Sequence, residues 1–437
     1  MYENQFTSPL RPLALAILTG LVAVVVSPAF AGEDDTPLSL TLSQGFTRDS
    51  NFTKDDTNKV GDTISTTAAQ VSLNKAYGRQ NYQAGLKLSK QQHAHFKDLN
   101  FDGKDANAAL STEVARNWLL SANGVYADTL NPVQNNGLTG GVEKNVKKYR
   151  DGGFSAQYGN GGTWAVAGSI DANKQSYSSI AQQGQNANQR TTGLKAIYFV
   201  SDALQYSLGA RRVVTKYELN TTYDQVIDRN IDLSTQLQIT GLTNLRATLT
   251  RRATSYVPTD PSVVLPNNGG WTGDFNWQYT PHGIASYNLG FSRTTGSDRQ
   301  QSTNPQEIAQ NVSIHGYGSD TVTSKINNNT VTSTISLNGR AQLTGKLSAT
   351  SSYAVSQFKI DRAYTVDFKH SLDLNKEGAS SVDSYNHALT FGVDYTALRS
   401  LRLGCSYQRY SQGYDGIYHI KYSGNSVDCN VNFTLNP

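Results

Sequence analysis

The chain has 437 residues, 10% of them aromatic with 24 Tyr against a single Met, and a formal charge of +4. Only 37% is hydrophobic and the mean hydropathy is −0.47, which excludes a helical membrane bundle, while the length exceeds one ordinary soluble β domain. The charge is mild and no basic block is present, so nucleic acid is not an expected partner.

Residues 1–31 read as a secretory signal peptide. Arg11 precedes an apolar run from Leu13 to Val26, and Ala29-Phe30-Ala31 is an A-x-A cleavage site before Gly32. Glu3 weakens the positive leader. A single transmembrane helix is the alternative, and the run is short for one. No later apolar stretch approaches spanning length, so residues 32–437 are expected to be exported without a helical anchor.

From there the chain alternates. Leu38, Leu40, Leu42 and Phe46 are interleaved with Ser39, Thr41 and Ser43. This period of two puts apolar side chains on one face of a strand and polar ones on the other. The pattern recurs at Ile231, Leu233, Leu237 and Ile239, and at Trp271, Phe275, Trp277 and Tyr279. It returns at Ala285, Tyr287, Leu289 and Phe291, at Val331, Ile335, Leu337, Ala341 and Leu343, and at Leu389, Phe391, Val393 and Tyr395. The last instance is Val427, Cys429, Val431, Phe433 and Leu435. Each segment has roughly the ten residues that a tilted membrane strand needs.

The connections alternate in length. Short turns are expected near Gly78-Arg79, Asn160-Gly161-Gly162, Ser201-Asp202, Gly241-Leu242, Pro281-His282-Gly283, Gly345-Lys346 and Arg399-Ser400. Longer polar loops are expected at 48–62, 97–105, 130–145, 177–188, 219–228, 257–270, 295–329 and 360–382. Outer-membrane barrels have this rhythm, with short periplasmic turns and long external loops. Prolines past the signal fall at ends, turns or loops, where no ladder donor is lost. Trp118, Trp164, Trp271, Trp277, Tyr158 and Tyr395 sit near strand ends, where their rings can form interfacial girdles. The predicted fold is all-β: a transmembrane, antiparallel, up-and-down β-barrel of about 18 strands. Sixteen is the alternative, because 106–118 and 146–158 are weakly patterned. A soluble sandwich or propeller would leave apolar faces on every strand unexplained.

Cys405 and Cys429 fall on the outward parity of the last two predicted strands. If they face each other, a cross-strand disulfide is feasible, and an oxidising periplasm favours it; two free buried thiols are the alternative. Asp98-Leu99-Asn100-Phe101-Asp102-Gly103 matches the start of a calcium loop, but the twelfth position is Ala109, which supplies no carboxylate. A polar external turn is the plainer reading. His93 and His95 share one predicted lumen face and make an incomplete metal site, so they are assigned to a polar pore wall. No nucleophile with an adjacent base can be singled out, and neither a metal nor a cofactor is expected.

Parity assigns Lys87, Lys195, Arg211, Arg246, Arg252, Arg340 and Arg402 to the lumen. Inward acids are Glu113, Asp171, Asp232, Asp274, Asp394 and Asp428. The plain reading is a salt-bridged wall. The sharper one is a guide for an anionic or hydroxyl-rich solute, with Arg246, Arg340 and Arg402 near the periplasmic entrance.

Gly61 to Thr67 (Gly-Asp-Thr-Ile-Ser-Thr-Thr) and Val71 to Gln80 (Val-Ser-Leu-Asn-Lys-Ala-Tyr-Gly-Arg-Gln) resemble the outer-membrane proteins of exosortase-associated exopolysaccharide operons, the EpsL type. Thr47 to Phe52 and Leu398 to Leu403 are similar to that family as well. The resemblance runs loosely over the mature chain and implies export of a polysaccharide through the outer membrane. It supplies no catalytic residues. The expected function is therefore a passive, hydrated conduit in the outer membrane, with membrane lipid, a polysaccharide and periplasmic polysaccharide-export components as partners. A general or sugar-selective porin is the main alternative, and an outer-membrane enzyme or adhesin a third.

Overall fold

The computed structural model describes residues 37–115, 117–131, 142–159, 162–220, 223–259, 268–281, 284–302, 321–369, 376–413 and 421–435. The expected signal peptide lies outside the described residues. The strands are β1 (Leu38–Asp49), β2 (Asp62–Tyr77), β3 (Gln80–His93), β4 (Phe101–Val114), β5 (Trp118–Leu130) and β6 (Val146–Tyr158). Then follow β7 (Trp164–Tyr177), β8 (Ala187–Ser201), β9 (Leu204–Tyr217), β10 (Tyr223–Thr240), β11 (Thr243–Pro258) and β12 (Asn268–Tyr279). The last six are β13 (Ala285–Ser302), β14 (Thr321–Gln342), β15 (Leu347–Lys369), β16 (Lys376–Thr396), β17 (Leu401–Gln412) and β18 (Tyr422–Leu435).

Each strand pairs antiparallel with its neighbours in sequence, and β1 pairs with β18 from Leu40 opposite Leu435 to Asp49 opposite Ser426. The result is a closed 18-stranded barrel. Closure leaves no sheet edge along the wall, so backbone donors and acceptors are satisfied where lipid offers no partner. The weakly patterned segments are strands β4 and β6.

The hydrophobic side of this molecule is its outside. Leu194, Leu208, Ile231, Leu233, Leu249, Leu337 and Phe391 are all about half exposed and point away from the barrel. Buried apolar side chains among the described residues are few, and three of them are the small Ala68, Ala165 and Ala187. A soluble sandwich would reverse that distribution. Covering one such Leu or Phe with hydrocarbon instead of water contributes roughly 1.5–3 kcal/mol. Trp118 packs tilted on Tyr158 at 5.1 Å and Trp164 on Tyr198 at 4.4 Å, at the short-turn end, where amphipathic rings suit a headgroup layer. The protein is thus an integral outer-membrane β-barrel.

Short connections gather at one end and long ones at the other. Between β2 and β3 the loop is two residues, Tyr77 pairs with Gln80, and Gly78 takes φ +59°. That positive φ matches the twist of the flanking strands and favours glycine.

The structure departs from the expected loops in several places. The described parts of 295–329 and 360–382 are strand: β13 to β16 run 18, 22, 23 and 21 residues. Pairing with β12 reaches only Arg293, and pairing with β17 only Asn386. Above those positions β13 to β16 pair among themselves, for example Ser302 with Ser324 and Val366 with Lys376, as a ribbon on the long-loop side. On β15 the alternation changes parity above those positions, from Leu347, Ala349, Tyr353 and Val355 to Phe358, Ile360, Tyr364, Val366 and Phe368, so the outward apolar pattern that marks a membrane strand breaks off while pairing continues. A short connection at 115–117 and a long one at 413–421 also escaped the sequence reading. The calcium-loop match is broken, because Lys97–Leu99 is a 3₁₀ turn and β4 begins at Phe101.

Candidate functional site

The lumen wall consists of the residues between the outward apolar positions. On β9, Leu208 and Ala210 point out, so Gly209 and Arg211 point in. On β10, Ile231 and Leu233 point out, so Asp232 points in. The same argument places Lys87 (β3), Lys195 (β8), Arg246 and Arg252 (β11), Arg340 (β14) and Arg402 (β17) on the lumen face.

These cations are not one cluster. Arg211 and Arg252 head two neighbouring clusters across β9 to β11. Arg211 grips Asp232 with two hydrogen bonds, Nε to Oδ2 at 2.5 Å and Nη2 to Oδ1 at 2.9 Å. Thr250 donates to the same carboxylate at 2.7 Å. Arg252 grips Asp228 through Nε and Nη2, both at 2.9 Å, and Thr254 adds a bond of 2.5 Å. Two-pronged guanidinium–carboxylate pairs are the strong form of this interaction and fix both partners in orientation. Asp232 is 13% exposed while Arg211 keeps 45%, so the acid anchors the pair and the cation still meets water.

Arg246, Arg340 and Arg402 stand singly within four residues of the short-turn end of β11, β14 and β17. They occur at every third strand, roughly 14 Å apart along the wall. Arg246 reaches Gln236 at 3.3 Å and Arg340 reaches Ser348 at 3.4 Å. Lys87 lies opposite Gln70 and Asp105, far from the β9–β11 clusters in strand order.

Across β12 to β16 the lumen face changes character. Gln278, Asn288, Asn338, Thr350, Ser352 and Thr390, with Arg340, line a recess of about 380 Å³. Asn276 and Asn288 exchange amide bonds at 3.3 and 3.1 Å. This surface presents neutral donors and acceptors; Asp274, Arg340 and Asp394 are its charges in the membrane-level half.

Toward the long-loop end the lumen carries tyrosines, which the sequence reading did not single out. Tyr149, Tyr177, Tyr410 and Tyr422 occupy inward positions, and Lys147 lies over the first two rings at 5.8 and 5.9 Å. The β1–β2 connection folds inward over β17 and β18: Lys54 sits 3.9 Å over the Tyr410 ring and pairs with Asp49 at 2.8 Å. Tyr410 donates to Asp49 at 2.5 Å. The signal for these rings was available, since each is an aromatic at a parity otherwise held by polar residues.

His93 is not open pore wall, and His95 falls beyond the end of β3. His93 is buried beneath the long connections, with Nδ1 2.7 Å from Asp62 Oδ2 and both side chains at most 1% exposed. Phe52 packs on it at 5.4 Å, and Asn51 and Leu99 are buried beside the same connections. His93 keeps inward parity, but external loops cover it; parity reports the side of a sheet, not what lies above it. Cys405 and Cys429 are direct cross-strand partners on the outer face and form a disulfide.

No protein-family model and no curated protein sequence matches the chain. Among solved structures, the chain is similar to OccK2 (OpdF) of Pseudomonas aeruginosa, with 14% identity, 91% of this chain and 97% of that one covered, and a TM-score of 0.48. It is similar to OccAB3 of Acinetobacter baumannii, with 11% identity, 91% and 98% covered, and a TM-score of 0.45. A bacterial polysaccharide outer membrane secretin matches with 10% identity, 92% and 100% covered, and a TM-score of 0.34.

Proposed function

We propose that this outer-membrane channel is the exit conduit for a secreted exopolysaccharide. The carrying observation is the lumen wall: a membrane-level recess of amides and hydroxyls on β12 to β16, with tyrosines above it toward the external mouth. Amides and hydroxyls exchange hydrogen bonds with sugar hydroxyls at little net free energy. Tyrosine offers a sugar ring an apolar face and a polar tip together. Conduction needs many such weak contacts rather than one tight site. Arg246, Arg340 and Arg402, spread around the short-turn end, fit a basic entrance facing periplasmic export components. Lys87, Lys195, Arg211 and Arg252 lie deeper along the path.

The test is a deletion strain complemented with wild type or with a variant that narrows the recess, such as Thr350→Trp with Asn338→Trp. Polymer is quantified outside the cell and in the periplasm. Retention in the deletion strain, relieved by wild type and not by the narrowed variant, is expected. Normal release without the protein removes the proposal.

A second reading is a sugar-selective porin, favoured by the size of the recess, which suits a small saccharide. Rapid uptake of mono- and disaccharides by liposomes carrying the barrel, together with normal polymer release in the deletion strain, would select it.

A further inference from the structure

The outer wall of β6 to β10 carries a cationic groove that the lumen function does not use. Register fixes its layout. Arg150, Lys174, Asn188 and Lys216 form one row of cross-strand neighbours on the outward face. Two residues nearer the short turns lie Gly152, Ala172, Arg190 and Val214, and one step further Thr192, Arg212 and Arg229. Gly152 and Ala172 are too small to fill the space between the rows. The result is a groove of about 760 Å³ lined by Arg150, Lys174, Arg190, Arg212 and Lys216.

Its height is informative. Below it on β7 to β9 the outward residues are Trp164, Val166, Ile170, Leu194, Tyr198, Tyr206 and Leu208, the lipid-facing belt. The cations begin eight residues from the short-turn ends of β6 and β9. At ~3.3 Å per residue and a tilt near 40°, that is about 20 Å up the wall, close to the top of an apolar band of about 25 Å.

Its charge is uncompensated. Arg212 and Arg229 are direct cross-strand partners, an arrangement that like charges disfavour. Among the described residues none pairs with Arg190, Arg212, Lys216 or Arg229. Two groove cations are engaged: Arg150 lies 5.6 Å over the Tyr126 ring, and Glu218 accepts from Lys174 at 2.8 Å, a bond that with one from Asn188 holds the Glu218 carboxyl below the usual range. Arginines gathered on a small-residue floor at the upper edge of the hydrocarbon suit phosphate groups, which guanidinium binds two-pronged.

We infer that this groove binds the phosphorylated headgroup of an outer-leaflet glycolipid of the lipid A type. Arg150 on β6 and Lys216 on β9 end one cross-strand row, three strands and roughly 14 Å apart, so cations flank both ends of a bis-phosphorylated disaccharide while its acyl chains run down the belt.

Native mass spectrometry of the detergent-solubilised full barrel tests this with bis-phosphorylated lipid A, monophosphorylated lipid A, phosphatidylglycerol and inorganic phosphate. Expected are retained bis-phosphorylated lipid A on wild type, at least tenfold weaker retention on Arg190→Ser/Arg212→Ser/Arg229→Ser, and intermediate retention of the monophosphorylated form. Heat-modifiable migration on gels reports that each variant is folded. As a control, Arg48→Ser/Arg251→Ser/Arg293→Ser removes the same outward charge elsewhere and is expected to retain lipid A. Equal loss in this control, equal retention of phosphatidylglycerol, or displacement of lipid A by millimolar phosphate would each overturn the assignment.

Discussion

Two sectors of one lumen are built from the same backbone and differ in what holds them. Across β9 to β11 the inward residues are clamped in two-pronged ion pairs, Arg211 on Asp232 and Arg252 on Asp228, each reinforced by a threonine. Across β12 to β16 the inward residues are mostly amides and hydroxyls, with shared bonds such as Thr334 to Ser356 at 2.8 Å. The clamped part of the first sector is stiff and its charges are already answered, while Arg246 below it on β11 meets only the Gln236 amide. The second leaves donors and acceptors free to exchange with whatever passes. Placing charge in the clamps and neutrality in the recess separates stability from traffic within one wall.

The neutral sector leads into β17 and β18, where Cys405–Cys429 closes 24 residues on the lipid side. Replacing both cysteines with serine is expected to give the largest loss of stability, about 3 kcal/mol by loop-closure entropy, read from urea unfolding in lipid vesicles. Single-channel conductance is expected to stay unchanged; a change would mean that the staple shapes the lumen.

Next in size is Asp228→Ala, which takes the acceptor from Thr254 and leaves Arg252 its bond to the Thr295 carbonyl. A charge-assisted network of this kind is worth roughly 2 kcal/mol, whereas Asn338→Ala across the lumen is expected within about 0.5 kcal/mol of wild type. Equal costs would show that the two sectors are not held differently. Asp232→Asn costs less, because the isosteric amide still accepts one bond from Arg211. It removes one lumen negative charge, so reversal potentials in a salt gradient are expected to move toward anions. Smallest in stability is Thr350→Lys in the neutral recess, expected within about 0.5 kcal/mol. It is expected to lower cation conductance, and no change would place the ion path away from β12 to β16.

The legible part of this molecule was whatever lipid dictates. Leu208, Ile231 and Leu337 mark outward parity, and the residues between them, Lys195, Arg211 and Arg252 included, were assigned to the lumen on that basis alone. Legibility failed where lipid stops constraining the chain. In the ribbon of β13 to β16 above the rim the outward apolar pattern breaks off, with β15 switching parity at Phe358, and His93 obeys its parity yet is roofed by loops. The cationic groove was missed for the opposite reason, because attention to inward charge ignored charge at outward positions such as Arg190 and Arg212.

The sequence by itself determined a wall with an oily and a wet face and its loop asymmetry, and it narrowed the strand number to 18 or 16, because a period of two and turn chemistry are local. Only the tertiary structure decided which charges meet. Asp228 reaches Arg252 across 24 residues and Lys174 reaches Glu218 across 44, distances that strand register sets and parity cannot. Register also set Arg212 beside Arg229 and Cys405 beside Cys429, since sliding any strand by two residues would keep every side chain on its face and change every partner.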